Sequence, residues 1–310
     1  MDLSKSNFDF LGKRRIALIV SSLLLATSIV SLAINGLRLG IDFTGGTLLE
    51  VSYEQTVELP GIRKILETAN LGDASVQHFG TSKEVLIRLP LKEGISTADL
   101  SNQVMDLLNT LGEAQGKQLR VEFVGPQVGD ELTEDGGLAL LYSMFGILMY
   151  VTWRFEYKFA LGSVAALAHD VILTLGFFSL LGFEFDLTVL AAVLAVIGYS
   201  LNDTIVVYDR IRENFRKMRK GTPEQIMNTS LNQTLSRTIM TSLTTLLVLV
   251  ALAMLGGEII HNFSLALIVG VLIGTYSSIY IASPMVLGLG VTQADLIPPE
   301  KEGGDFDLKP

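Results

Sequence analysis

The feature that most constrains this chain is a series of long stretches without charged side chains. Four stretches contain no Asp, Glu, Lys or Arg, namely residues 16–37, 136–153, 238–257 and 259–294. Two more, 159–183 and 187–208, contain one carboxylate each, Asp170 and Asp203. An apolar stretch of about 18 residues or more is long enough to cross the hydrocarbon core of a bilayer as a helix. The sequence therefore predicts a polytopic α-helical membrane protein with six transmembrane helices.

The overall composition excludes several other classes of protein. Of the 310 residues, 49% are apolar and only 18% are charged, whereas soluble chains carry about 25% charged residues. The formal net charge of −9 argues against a nucleic-acid partner, because phosphate binding requires clustered Lys and Arg. The absence of cysteine excludes disulfides, thiolate metal sites and cysteine nucleophiles. A soluble enzyme and a nucleic-acid binder are thus excluded, and we expect no metal and no organic cofactor.

The distribution of positive charge predicts the topology. The boundaries we predict are an N-terminal segment 1–15, transmembrane helices over 16–34, 137–153, 159–181, 187–207, 238–255 and 263–289, an outside domain 35–136, a basic loop 208–237 and a tail 290–310. Lys and Arg gather before the first helix and in the 208–237 loop, while the short loops 182–186 and 256–262 have none. By the positive-inside rule, both termini and the basic loop are cytoplasmic. The basic loop sets this orientation, and contact with anionic lipid or a partner stays open as a second role.

Residues 35–136 are long enough for one small domain with its own core. Apolar alternation predicts strands near 47–53, 75–79, 85–89 and 119–124, and helical spacing predicts helices near 60–69 and 97–111. The order β-α-β-β-α-β is that of a ferredoxin-like α+β domain. The residues expected between the sheet and its helices are Val51, Leu66, Leu86, Val104, Leu108 and Val121.

Two carboxylates stand where charges are costly. Asp170 lies inside the third predicted transmembrane helix, roughly 16 Å from its cytoplasmic start, and Asp203 lies inside the fourth, roughly 10 Å before Arg210, at a rise of about 1.5 Å per residue. A charged group near the bilayer centre costs about 2.5–3.5 kcal/mol on insertion scales, so such residues usually serve a function. Because their depths are similar, both could lie in one layer of the bundle. Two hypotheses remain for each: a packing residue that fixes helix register, or a carboxyl group that takes up and releases a proton.

The neighbours of Asp203 favour the proton hypothesis. Asn202 and Thr204 flank it, and the small residue Gly198 would let another helix or water approach. Arg237 begins the fifth transmembrane helix at a similar depth, so it could pair with Asp203. Burial favours the neutral form of a carboxyl and a nearby arginine favours the charged form, so a movable pair could load and unload a proton.

Two glycine-containing segments join the outside domain to the membrane helices. Asp42, Gly45 and Gly46 follow the first transmembrane helix. Gly125, Pro126 and Gly129 precede the second. Glycine permits unusual backbone dihedrals and proline fixes one. These segments are either simple turns or hinges on which the domain swings.

Several segments together resemble a known family. These are LGIDFTGGTLLEV (39–51), FVGPQVGDEL (123–132), the stretch 182–215 with its motif NDTIVVYDR, and LNQTLSRTIMTS (231–242). They are similar, in order and over nearly the whole chain, to the signature segments of the SecF family. SecF proteins pair with SecD and belong to the resistance–nodulation–division superfamily of proton-driven machines.

The resemblance implies a function and a set of partners. It implies a bacterial inner-membrane subunit that uses the proton-motive force, with SecD, to complete preprotein translocation after the ATP-driven stage. It further implies that SecD and YajC join SecYEG, SecA and YidC. In that family the important intramembrane Asp falls on Asp203 and the Arg on Arg237. The domain 35–136 would be periplasmic.

Three other functions remain to be weighed. A passive scaffold of the translocon would need no proton. A proton-coupled exporter would share the intramembrane carboxylate, but this chain has half the usual spans and outside domains. An intramembrane aspartyl protease would use two bilayer carboxylates, but Asp170 follows His169 and Asp203 follows Asn202 instead of the usual protease motifs.

Overall fold

The structure, a computed structural model, describes residues 7–91, 95–111, 115–218, 220–292 and 295. Nearly all of the predicted tail 290–310 beyond Thr292 lies outside the described residues, as does the start of the predicted segment 1–15. The elements in chain order are α1 (Arg14–Asn35), β1 (Arg38–Leu39), α2 (Ile41–Thr44), β2 (Gly46–Tyr53), α3 (Leu59–Thr68), β3 (Ser75–Phe79), β4 (Thr81–Leu89), α4 (Thr97–Leu111), β5 (Gly116–Val124), α5 (Pro126–Arg154), α6 (Tyr157–Leu181), β6 (Glu184–Phe185), α7 (Leu187–Lys217), α8 (Pro223–Leu255), α9 (Glu258–Ser277) and α10 (Ser283–Gly288). A π-helical segment, Ser278–Ala282, joins α9 to α10.

Six helical segments of the described chain are long and apolar enough to cross a membrane. They are Leu11–Asn35, Pro126–Arg154, Tyr157–Leu181, Leu187–Lys217, Pro223–Leu255 and Ile260–Gly288. The expected fold class, six membrane helices with one small α/β domain, is confirmed.

The helices extend well past the apolar stretches that predicted them. The basic region 208–237 is almost entirely helical, because α7 continues to Lys217 and α8 already begins at Pro223. Thr222 caps α8 in a capping box with Gln225, and Pro223 occupies the first turn, where its missing N–H costs nothing. Likewise α5 begins at Pro126, ahead of its apolar part.

Glycines bring the central helices of the bundle into close contact. A Cβ atom on Gly270 of α9 would lie 2.1 Å from Val196 of α7, and one on Gly274 would lie 2.9 Å from Cβ of Ser200. On the other side, a Cβ on Gly176 of α6 would lie 2.2 Å from Ser28 of α1. Only residues without a Cβ allow this separation. The helices α6, α7 and α9 therefore form a tight centre around which the others pack.

The α/β domain has the predicted ferredoxin-like arrangement. Its four antiparallel strands lie in the order β3-β4-β2-β5, and α3 and α4 follow the first and third of them in the chain. The helices pack on one face of the sheet, where Val51, Leu66, Val104 and Leu108 are almost fully buried, as predicted.

Two predicted core residues of this domain differ. Leu86 is buried, but it lies outside the helix-side cluster. Its neighbours Val85 and Ile87 belong to that cluster, and alternation along a strand directs Leu86 to the opposite face. Val121 is only partly buried, because β5 is an edge strand of the sheet.

The α/β domain is attached to the bundle through the connection between α6 and α7. The short strand β1 pairs in parallel with β6, so that Arg38 lies opposite Glu184. The side chains of Arg88 and Glu184 form an ion pair. Asn262 of α9 donates a hydrogen bond to the backbone carbonyl of Glu184 over 3.2 Å. Several kinds of contact thus converge on one residue between the domain and the membrane helices.

Candidate functional site between the membrane helices

Asp203 lies on α7 where three helical segments meet. Its side chain is 7% exposed. Its Oδ1 accepts a hydrogen bond from the hydroxyl of Thr238 on α8 over 2.6 Å, and its Oδ2 accepts one from Ser278 at the start of the π-helical segment, also over 2.6 Å. Two short hydroxyl bonds offset part of the cost of burying the carboxyl group.

Asp170 lies on α6 and is fully buried. Its Oδ2 accepts hydrogen bonds from Ser200 on α7 over 2.5 Å and from Ser277 on α9 over 2.7 Å. Its Oδ1 lies 2.9 Å from Nδ1 of His169. The other ring nitrogen of His169, Nε2, is buried without a hydrogen-bond partner among the described residues, so this histidine has one nitrogen left for a further donor or acceptor.

The two carboxyl groups share one layer of hydroxyl groups. Ser200 and Asp203 are about one turn apart on α7, yet Ser200 donates to Asp170. Ser277 and Ser278 are consecutive, and each donates to a different carboxylate. The carboxylates of α6 and α7 are therefore linked through α7 and through the junction of α9 with the π-helical segment.

Arg237 does not form the predicted ion pair with Asp203. Both residues are described, and no ion pair joins them; the arginine side chain is exposed on α8. The next residue, Thr238, makes the contact with Asp203 instead, because successive helical residues point about 100° apart.

Of the three residues predicted to support Asp203, two are exposed and one is buried. Gly198 and Asn202 are exposed, and nothing lies within 4 Å of a Cβ built on Gly198. Within the described part of this chain no helix packs against Gly198, so its expected role, to let another helix or water approach, remains a prediction; Gly270 and Gly274 of α9 allow the close contact with α7 at Val196 and Ser200. Thr204 is buried, and its hydroxyl has no partner among the described residues.

The first junction segment is tied to the bundle. Asp42 accepts a hydrogen bond over 2.9 Å from the backbone N–H of Leu187, the first residue of α7. Asp186 caps the same helix by accepting a hydrogen bond from the N–H of Val189. Gly45 has φ +68° and Gly46 φ +149°, which L side chains rarely adopt.

The second junction segment is the start of α5. Gly125 is its N-cap in an extended conformation and Pro126 occupies its first turn. Gly129 lies inside the helix, where a Cβ would come 2.7 Å from the carbonyl oxygen of Phe43. Gly129 therefore permits close packing of α5 on the first junction.

Glu184, outside the membrane helices, has an unusual electrostatic environment. Burial raises the pKa of its carboxyl group, and the Arg88 guanidinium opposes that rise. Among the described residues, no group of three or more His, Asp or Glu side chains could hold a metal ion.

Sequence reasoning missed the donors around both carboxylates. Ser200, Thr238, Ser277 and Ser278 are small hydroxyl residues, which are common in membrane helices, so their spacing carried no distinguishing signal. Both carboxylates could be found because each is the only charge in its span.

The fold and the buried centre define a multi-pass membrane protein with titratable groups between its helices. The family profile described as "Protein export membrane protein SecD/SecF, C-terminal" matches residues 103–292, and the "SecD/SecF GG Motif" profile matches residues 30–57. The chain therefore belongs to the SecD/SecF family of protein-export membrane proteins. Members of this family are translocase subunits and not enzymes.

Individual relatives place it with the SecF proteins. The protein translocase subunit SecF of Vibrio alginolyticus is 52% identical over 309 residues, which cover 99% of this chain and 98% of the relative. SecF of Escherichia coli O157:H7 is 46% identical over 301 residues, covering 96% and 93%. The crystal structure of SecDF, a translocon-associated membrane protein from Thermus thermophilus, matches with a TM-score of 0.83 and 40% identity. That match covers 93% of this chain but only 39% of the SecDF chain.

Proposed function

We propose that this chain, together with a SecD-type partner, uses the proton-motive force to complete preprotein translocation across the bacterial inner membrane after the ATP-driven stage. The observation that carries the proposal is the pair of buried carboxyl groups, Asp170 and Asp203, in one layer of hydroxyl donors. Moving one elementary charge through 100 mV releases about 2.3 kcal/mol, so a few protons per cycle suffice to drive a conformational change.

Asp203 carries the proton in this proposal, and Asp170 is the second site. A carboxyl held by neutral hydroxyl groups, with no ion pair to Arg237, has no fixed counter-charge that locks it in the ionised form. Arg237 on α8 acts electrostatically on the Asp203 carboxylate, at a longer range than that of an ion pair. The α/β domain, held through Glu184 and the junction residues, transmits the change on the periplasmic side.

The decisive experiment uses Asp203→Asn, which keeps the side-chain volume but cannot titrate. In inverted membrane vesicles, we expect this variant to lose proton-motive-force stimulation of translocation and to retain the ATP-driven stage. Asp209→Asn is the matched control, since Asp209 lies on the same helix but is exposed and ion-paired with Arg154. Full stimulation in the Asp203→Asn vesicles would exclude the proton role.

Proton conductance distinguishes the proposed function from two alternatives, a non-conducting scaffold and half of a proton-coupled exporter. Proton conductance of the reconstituted complex, lost in Asp203→Asn and kept in Asp209→Asn, supports the motor. Absence of conductance in the unaltered complex supports the scaffold. Conductance that rises with an added small-molecule substrate and is independent of preprotein supports the exporter.

We propose that the SecD-type partner covers the exposed polar surface formed by Gly198 and Asn202 of α7 and Arg237 and Thr241 of α8. All four are exposed in this chain, and Asn and Arg facing lipid at this depth would cost several kcal/mol. Since the chain has no cysteine, Asn202→Cys provides a single cross-linking site. We expect a cross-link to the partner from this position and none from Leu247→Cys, whose exposed side chain lies on an apolar part of α8.

The proposed topology has both termini and the α7–α8 connection in the cytoplasm and the α/β domain in the periplasm. A reporter fused after Pro310 should be active only as a cytoplasmic enzyme, and one inserted near Lys92 only as a periplasmic one. YajC, SecYEG, SecA and YidC remain predicted partners, to be tested by co-purification with the full complex. An outside C-terminus would refute the six-helix topology.

A further inference from the structure

Ser277 and Ser278 each face two possible acceptors. Ser278 Oγ lies 2.6 Å from Oδ2 of Asp203 and 3.0 Å from the backbone carbonyl oxygen of Thr275. Ser277 Oγ lies 2.7 Å from Oδ2 of Asp170 and 3.2 Å from the carbonyl oxygen of Gly274. Each hydroxyl can therefore direct its proton either to a carboxylate or to the carbonyl three residues earlier in its own helix.

The other donors of the site lack this choice. Within the described part of the chain, the hydroxyl groups of Thr238 and Ser200 have a carboxylate as their only hydrogen-bond partner. An ionised carboxylate only accepts hydrogen bonds, whereas a protonated carboxyl group must donate one. When a proton arrives at Oδ2 of Asp203, the hydroxyl that faces this oxygen has to become an acceptor. Ser278 can do so without losing a hydrogen bond, because Thr275 provides the alternative acceptor.

We propose that Ser277 and Ser278 are positioning residues that couple the protonation of Asp170 to that of Asp203. This inference rests on the proposed proton function of the site. When Asp203 is protonated at Oδ2, Ser278 rotates its O–H toward the Thr275 carbonyl and accepts the new O–H of the carboxyl group. No proton is transferred to or from the serine, so the exchange is balanced: one serine–carboxylate bond is replaced by one carboxyl–serine bond and one serine–carbonyl bond.

The coupling follows from the position of the two serines in the helix. They are consecutive, and the backbone changes from α-helical to π-helical between them. Such π-helical turns are frequent at functional sites. The hydroxyl of Ser283 donates to the carbonyl of Ser278 over 2.9 Å, which fixes the far end of this turn. A stronger hydrogen bond from the Ser278 hydroxyl to the carbonyl of Thr275 therefore changes the geometry of this turn. The same turn orients Ser277 toward Asp170.

The other titratable or charged groups facing the pair come from three helices. His169 on α6 contacts Asp170 directly. Tyr276 on α9 stacks near the His169 ring, with centroids 6.3 Å apart. Arg237 on α8 acts on Asp203 electrostatically. None of these three is altered in the test.

The test is an infrared pH titration of the carboxyl groups in the full complex, reconstituted in lipid vesicles. The bands of Asp203 and Asp170 are assigned by their loss in Asp203→Asn and Asp170→Asn. We expect Ser278→Ala to move the titration midpoints of both carboxyl groups by at least about one pH unit, the interaction at which two sites titrate as a pair. Ser277→Ala should likewise move both midpoints. Ser278→Thr keeps the hydroxyl, so both midpoints should stay at the values of the unaltered protein.

The matched control is Ser264→Ala. Ser264 is fully buried on the same helix, and its hydroxyl has no partner among the described residues, so its removal should move neither midpoint. The inference is overturned if Ser278→Ala moves only the Asp203 band, if it moves neither band, or if Ser264→Ala moves both equally. These spectra do not depend on translocation. An absent effect of Ser278→Ala on the Asp170 band, together with an intact effect of Asp203→Asn on translocation, would therefore refute the serine role alone.

Discussion

Arg88 of the α/β domain and Glu184 of the α6–α7 connection form an ion pair that is largely shielded from solvent, with side-chain exposures of 16% and 11%. Removing one partner of a buried pair leaves the other charge without compensation, and this costs more than the pair itself contributes. The pair is therefore the most sensitive point at which to test the attachment of the domain.

We expect Arg88→Met to destabilise the protein by about 3 kcal/mol, the lower end of the range for buried pairs. The loss should depend on pH. Burial raises the pKa of Glu184, and without Arg88 nothing in the pair opposes this rise. The folded state then binds the Glu184 proton more tightly than the unfolded chain does, so stability falls as the pH rises through the raised pKa of Glu184.

Thermal unfolding of the purified complex at several pH values measures this effect. Glu184→Gln serves as the control, because it keeps the shape and cannot ionise, so its stability should show little of the pH dependence. A loss in Arg88→Met that is the same at both ends of the pH range would contradict the interpretation.

A second prediction concerns the contact between α9 and α7. Gly270→Ala would place a Cβ about 2.1 Å from Val196, so the helices must separate. We expect a loss of about 1–3 kcal/mol, as for other overpacked cores. Gly146→Ala is the matched control in a peripheral membrane helix, since nothing lies within 4 Å of its Cβ position. Equal thermal stability of the two variants would show that the contact between α9 and α7 accommodates the added methyl group without loss of stability.

A third prediction concerns the segment before the first membrane helix. Two asparagines of α8 hold its backbone: Asn228 accepts from the N–H of Phe10 over 2.8 Å, and Asn232 accepts from the N–H of Phe8 over 2.8 Å. We expect Asn228→Ala to release the segment and to accelerate cleavage near Phe8 by added protease several-fold.

Thr229→Ala is the control for that cleavage experiment. Among the described residues its hydroxyl bonds only to the carbonyl of Gln225 within its own helix, so the rate of cleavage should stay at the level of the unaltered protein. Unchanged cleavage of Asn228→Ala would mean that other contacts, such as the ion pair of Arg14 with Glu224, hold the segment alone.

A fourth prediction concerns the core of the α/β domain. Leu108 is 1% exposed, and its replacement by Ala should cost about 2–5 kcal/mol. Leu119 on the edge strand β5 is 49% exposed, so Leu119→Ala should change the stability far less. Thermal unfolding in detergent distinguishes the two variants, and similar midpoints would contradict the assigned core.

The parts of the structure that follow local rules could be predicted from the sequence. The strands of the α/β domain follow from alternation and the membrane helices from length and hydropathy. Asp170 and Asp203 stand out because a charge in an apolar helix is costly wherever the chain folds. These inferences need no knowledge of which helices are neighbours.

The hydrogen-bond partners of those carboxylates depend on neighbours and could not be predicted. Thr238 and Arg237 are adjacent in the chain, and the sequence favoured the charged residue, but the rotation of α8 turns Thr238 inward. Gly198 and Asn202 do share a helix face, as expected from their spacing of four; that face is the outward one. A missing partner subunit cannot be inferred from spacing within a single chain.

The parallel pairing of Arg38 and Leu39 with Glu184 and Phe185 consists of main-chain hydrogen bonds, continued by the bond from the N–H of Gly40 to the carbonyl of Phe185. Such a seam depends on the path of the backbone and hardly on the identity of the side chains. Gly40 is the exception, since a Cβ there would lie 3.1 Å from that of Asp186. Under random mutagenesis this junction should accept most residues at positions 38 and 39 and fewer at position 40, so selection here acts on shape.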